Sequence, residues 1–259
     1  MNTKRPVQCP AEQVYGGIGM NGYTALGAQS YSFRHFDMNG ALEQLAKLGL
    51  NTIEFCGVHF PPDPANPDLP RIIETVSSRK ITIPCYGVEG FSGDKEANRA
   101  KFEFAAMLGA QYLSADPAPE AFANLEALVD DFGIKIAIHN HGPGARYDKA
   151  ADTWNAVKNL HPSIGACVDT GHVLRSGEAP HEVIEQLGAR VHCLHLKDWK
   201  IGGDETVIGE GDLDLFKTVA ALRAINFTGF ICMEYELDPE DPTPGMKRGM
   251  QNWIDAVSA

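Results

Sequence analysis

The chain predicts an α/β protein, a single-domain (β/α)8 barrel of the TIM type, and three observations carry that prediction. Eight short apolar runs recur, near 25–31, 51–56, 82–87, 111–115, 134–140, 165–169, 191–197 and 229–235. Amphipathic stretches with apolar residues three and four positions apart separate them. The units fill about 235 of the 259 residues, the size of one large barrel. No G-x-G-x-x-G follows the first run, which disfavours the alternative, an open doubly wound sheet.

Taken in order, residues 1–24, with the Gly-rich YGGIGMNGY, form a lead-in, and the barrel occupies 25–259. Runs that are apolar on both faces read as buried parallel strands. The helical patterns are MNGALEQLAKLGL, KEANRAKFEFAAMLG, AFANLEALVDDFG, ADTWNAVKNL, HEVIEQLG and LDLFKTVAALRAIN, with a closing helix near 245–257. Gly49, Gly109, Gly133, Gly188 and Asn226 stand where left-handed C-caps are needed. Two long pieces, GVHFPPDPANPDLP and DWKIGGDETVIGEGD, follow strand C-termini, the face on which barrel active sites are built. Pro61, Pro62, Pro64 and Pro67 stiffen the first, which reads as a pocket wall, a lid or an inert surface loop.

Composition narrows the function classes. With 44% hydrophobic residues a sizeable core is available, and the formal charge of -12 repels phosphate backbones and anionic membranes. Neither a nucleic-acid nor a membrane partner is expected, and no apolar stretch approaches the ~20 residues of a span. The start MNTKRPVQCPAEQ lacks a secretory h-region, and the cysteine usage is what leads to the expectation of a cytoplasmic setting. Five of the six cysteines, Cys56, Cys85, Cys167, Cys193 and Cys232, fall in strand runs without a CxxC and read as buried, reduced thiols.

The chemistry lies at four strand ends: His139 in IKIAIHNHG, Asp169 in IGACVDTGH, His195 in VHCLHLKD and Glu234 in FICMEYE. Adjacent parallel strands would bring two imidazoles and two carboxylates to one point, a reasonable ligand set for a divalent metal. Each residue alone has a plainer reading: Asp169 as a helix N-cap, a histidine as a hydrogen-bonded strand end. Four strands delivering them to one rim together is harder to dismiss. Alternation puts His195 and Lys197 on one side, places His139 and His141 on a shared face with Asn140 opposite, and leaves His192 as a packed histidine. Glu234 beside an apolar run needs a partner, a metal or a cation such as Lys197. His139 and His141 can bind a metal, hold a hydroxylated substrate or act as acid and base.

These segments, with LHLKDW, VIGEGDLDL and MEYE and more weakly LGAQSYSFR, NTIEF and GAQYLSADP, resemble the sugar phosphate isomerase/epimerase family of the xylose isomerase-like TIM barrel superfamily. The resemblance implies a divalent metal, Mn2+, Zn2+, Mg2+ or Co2+, held at His139, Asp169, His195 and Glu234, with His172 on the substrate. Many members carry Glu where this chain has His139, so a symmetrical two-glutamate epimerisation loses one of its groups. The implied function is isomerisation or epimerisation of a sugar or keto-sugar through an enediolate, with Glu234, His139 and His141 catalytic and His172, Lys197 and Glu54 on substrate oxygens. The alternative is a lyase or dehydratase acting on a keto-sugar or 3-keto-glycoside by the same chemistry. Weaker readings are an endonuclease-type metal hydrolase, disfavoured by acidity and by the missing Asp-x-His in VIGEGDLDL, and a non-catalytic sugar-binding barrel. The partner is a small carbohydrate; free sugars, sugar acids, inositol derivatives, 3-keto-glycosides and a homo-oligomeric state all stay open.

Overall fold

The computed structural model describes Tyr23 and residues 25–259; the rest of the predicted lead-in, with Cys9, lies outside the described residues. The strands in chain order are β1 (Gly27–Gln29), β2 (Ile53–Glu54), β3 (Cys85–Phe91), β4 (Tyr112–Pro117), β5 (Lys135–His139), β6 (Ile164–Asp169) and β7 (Val191–Leu196). A small antiparallel hairpin, β8 (Asp198–Trp199) and β9 (Glu205–Thr206), precedes the last, β10 (Phe230–Met233). Eight of them make one parallel sheet in the order β2-β1-β10-β7-β6-β5-β4-β3. Single bridges Thr52 to Thr82 and Phe55 to Tyr86 join β2 to β3, so the sheet closes nearly into a barrel. All eight predicted runs overlap a strand of this sheet, with β3, β4 and β6 extending beyond the predicted bounds.

The helices are α1 (Met38–Lys47), α2 (Leu69–Ser78), α3 (Lys95–Leu108), α4 (Phe122–Phe132), α5 (Ala150–Val157), α6 (Thr170–Arg175), α7 (Pro180–Leu187), α8 (Leu215–Ala224) and α9 (Thr243–Ser258). Asp37, Asp94 and Asp214 cap α1, α3 and α8 by accepting first-turn N–H bonds. The five residues expected to end helices all have positive φ. Two helices are absent from the sequence-based set. α2 hides behind the proline-rich run, because Pro70 sits in its first turn, where a missing N–H is harmless. α6 has six residues, too few to show a period.

Along the site strands, the inward positions alternate small with functional side chains. Ala137 lies one pleat below His139, Cys167 below Asp169, Cys193 below His195 and Cys232 below Glu234. With Cys85, Tyr112 and Phe230 these four form a buried cluster of their own, apart from the main apolar core. All five cysteines of the strand runs are free and buried, as small hydrophobes filling a narrow barrel should be.

Candidate active site

Strand register brings the four residues to one level. Asp169 pairs with His195 across β6 and β7, Cys232 pairs with His195 across β10 and β7, and the N–H of Glu234 donates to the carbonyl of Leu196 at 3.1 Å. Asn140, on the opposite face from His139, locks β5 to β6: its amide donates to the carbonyl of Asp169 (3.1 Å) and accepts from that residue's N–H (2.9 Å). The Nδ1 of His195 lies 2.7 Å from Oε2 of Glu234 and 3.1 Å from Nε2 of His139. That Nε2 is 3.6 Å from Oδ2 of Asp169 and 3.9 Å from Oε2 of Glu234.

The donor atoms of His139, Asp169, His195 and Glu234 all fall within 4.8 Å of one another. Ligands about 2.1 Å from one tetrahedral ion stand roughly 3.4 Å apart, so the spacing suits a cation at their centre. Asp169 gives an independent sign. Its Oδ1 accepts the N–H of His172 at 2.7 Å as the cap of α6, while Oδ2 is buried with no hydrogen-bond partner. The residues fit a divalent metal, and two nitrogens with two carboxylate oxygens suit zinc or manganese.

Charge is balanced locally. Burial opposes ionisation of Glu234, but Lys197 and then His195 outweigh it and hold the carboxyl well below its ordinary range. Burial likewise opposes charge on Lys197, yet Glu234 and then Asp169 push its ammonium up. Its Nζ lies 3.3 Å from Oε1 of Glu234 and also bonds Glu236. The stem of Lys197 crosses Gly171 so closely that a Cβ there would stand 2.7 Å from its Cγ. His139 and His172 are both lowered, chiefly by burial, and favour the neutral imidazole.

Above the donor set opens a cavity of about 470 Å³ at the C-terminal ends of the strands. Tyr31, Val58 and Val88 give it an apolar side; His139, His141, His172, Glu234 and Glu236 give it a polar one. His141 is exposed, with its ring centroid 4.4 Å from that of His139, and its pKa is lowered by loss of surrounding water and by that neighbour. Nδ1 of His172 accepts from Arg175 at 2.8 Å; a guanidinium only donates, so Nε2 of His172 carries the proton.

Six of the eight sequence-selected residues gather at this centre: His139, His141, Asp169, His172, His195 and Glu234. Lys197 and Glu54, given to substrate by the sequence reading, do not line the cavity. Lys197 is spent on two carboxylates, and Glu54 lies fully buried against His195 and Ser114. The two long loops serve differently. The first contributes Gly57 and Val58 to the wall, while the second folds into the β8–β9 hairpin, where Asp198 accepts the N–H groups of Gly209, Gly211 and Leu213. That hairpin presents Glu205 to the N–H of Glu236, and burial raises its carboxyl to about 7 against the pull of Lys197.

Sequence reasoning left Gln29, Glu89, Arg175, Ser114, Glu205 and Glu236 out of the site set. Glu236 alone had a signal, its shared parity with Glu234. The others come from separate strands and loops that only closure of the barrel brings together.

Residues 42–257 match the family model for the xylose isomerase-like TIM barrel. An inosose dehydratase of Clostridium botulinum is 30% identical over 141 residues, 46% of this chain and 46% of that protein, so the match spans about half of the relative's length. A crystal structure of the IOLI protein with a bound zinc atom superposes with a TM-score of 0.74 at 19% identity, covering 90% of this chain and 98% of that one. A D-tagatose 3-epimerase-like protein gives 0.72 at 19% identity, again covering 90% and 98%. At such identity these two structures speak for the fold alone. Among the described residues no helix is long and apolar enough to cross a membrane.

Proposed function

The chain belongs to the xylose isomerase-like TIM barrel family, and from that premise we propose that it is a metal-assisted lyase, a dehydratase that removes water from a polyhydroxylated ketone of the inosose kind. The sequence reading places isomerisation or epimerisation first and elimination second; the site and the dehydratase relatives support the reverse order. One observation carries it. With His139 in the donor set, the remaining carboxylates there are Asp169, enclosed, and Glu234, tied to His195 and Lys197. The other carboxylates that line the cavity are also paired, Glu89 with Lys101 and Glu236 with Lys197, so the unpaired groups facing substrate are imidazoles, whereas epimerisation needs a proton carrier on each face of the reacting carbon.

A divalent cation held by His139, Asp169, His195 and Glu234 would supply Lewis-acid polarisation of the substrate carbonyl. The protein's own groups do the rest. His141, exposed and neutral, takes the proton from the carbon beside the carbonyl, within reach of the cavity floor. The Nε2–H of His172, fixed by Arg175, hydrogen-bonds the departing β-hydroxyl, and the imidazolium of His141 returns to that oxygen the proton it took. The C–H and C–O bonds break, a C=C bond forms, and one water leaves. Lys197, itself anchored by Glu236, keeps Glu234 ionised and pointed at the donor set. The apolar wall of Tyr31, Val58 and Val88 covers the ring face and limits water.

The test is product analysis with a cyclic polyol ketone in deuterated water. Loss of one water, with the α-hydrogen released and deuterium entering only at the former β-carbon as the enol product ketonises, supports elimination. Deuterium entering an undehydrated, inverted product would return epimerisation to first place.

A further inference from the structure

We infer that Glu54 and Ser114 are positioning residues for His195, fixing its tautomer and aim toward the donor set; this rests on the metal-site reading above. Glu54 ends β2, and its carboxylate is fully buried. No Lys or Arg is paired with it among the described residues. Its partners are the Ser114 hydroxyl, Nε2 of His195 at 3.0 Å and the Cys232 thiol at 3.5 Å. A carboxylate enclosed this way must be met by donors, because desolvation without them is prohibitive. Ser114 and Cys232 donate one proton each, so the strong remaining donor is Nε2–H of His195.

The consequence falls on the other ring nitrogen. With Nε2–H committed to Glu54, Nδ1 faces Glu234, Asp169 and His139 as the metal-facing atom. At 2.7 Å from Oε2 of Glu234 this nitrogen can share a proton with the carboxylate when no metal is bound, and a bound cation would take that proton's place. His195 is itself fully buried, so no water competes for either nitrogen. The arrangement is a carboxylate–histidine pair of the kind that orients metal-binding imidazoles, with Ser114 steadying the carboxylate in turn. A rival use exists for the same atoms: Glu54, His195 and Cys232 present donor atoms within 4.8 Å and could take an ion of their own. The Ser114 hydroxyl on Glu54, and a cavity above the donor set that neither Glu54 nor Cys232 lines, favour the positioning role.

Zinc titration of the chelator-stripped full chain against a chromophoric competitor separates these. The expected result is one zinc per chain, with affinity about 10- to 100-fold weaker in Glu54→Gln and several-fold weaker in Ser114→Ala. Ser114→Ala carries the test if Glu54→Gln fails to fold. Unchanged zinc affinity in a folded variant overturns the inference, as does a second zinc in the wild type that Glu54→Gln removes. A wild type that takes no zinc would instead overturn the metal-site reading itself.

Discussion

Replacing Lys197 by Met tests the charge balance beneath the cavity. The side chain of Lys197 is 1% exposed, and that of Glu234 is 10% exposed. Breaking a buried pair by removing one partner costs about 3–5 kcal/mol, because the other charge stays behind. Two features place this case near the lower end. Glu234 keeps His195 at 2.7 Å, and Glu236, the second partner, is 33% exposed and can turn to water. Met preserves the stem volume over Gly171, so the loss is electrostatic rather than packing. The expected destabilisation is about 3 kcal/mol, or roughly 10 °C in Tm for a chain of this size. Denaturant unfolding in excess chelator measures it; zinc should recover part of the loss by neutralising Glu234 directly. A chelated Lys197→Met protein within about 1 kcal/mol of wild type would refute the account of Lys197 as the counter-charge.

Further outcomes follow from the same geometry. His141→Asn should lower kcat by about 100- to 10,000-fold with zinc affinity little changed, read by steady-state kinetics beside metal titration; activity near wild type would remove it as base. Glu205 should make stability fall with rising pH: its folded carboxyl titrates at about 7 against 4.5, so the folded state holds the extra proton between these values. Glu205→Gln is therefore expected to gain up to about 3 kcal/mol over wild type at pH 8 and almost nothing at pH 4, with equal gains at both contradicting the assignment. Asp169→Asn keeps the cap of α6 through its remaining oxygen but weakens the donor set, so zinc affinity should drop at least 10-fold with Tm nearly held.

Much of this molecule is legible in the order of its residues. The eight strands announce themselves as apolar runs, because strands covered on both faces have no polar side to disguise them. The site follows from four polar interruptions at the ends of such runs. The A-x-H, C-x-D, C-x-H and C-x-E spacings, small residue then functional one, place both on the inward face. What the sequence conceals depends on closure. Glu54 reads as a strand-end carboxylate for a substrate hydroxyl, and only the curl of β2 toward β1 and β10 puts it beside His195. Lys197 shares the parity of His195 and so reads as a substrate contact, yet the return of β10 places two carboxylates at its tip first. α2 is lost behind prolines that sit harmlessly in and before its first turn. The hairpin that brings Glu205 beside Glu236 has strands of two residues each, too short for any pattern.

In the proposed function the His139, Asp169, His195 and Glu234 cluster drives elimination of water. The direct measurement is turnover of an inosose-type ketone by chelator-stripped enzyme before and after adding back one equivalent of zinc or manganese, with product followed by absorbance and mass. Negligible dehydration is expected without metal, with recovery on reloading in wild type and none in Asp169→Asn. Full dehydration by the stripped protein, or a reloaded enzyme that inverts the ketone without expelling water, would contradict it.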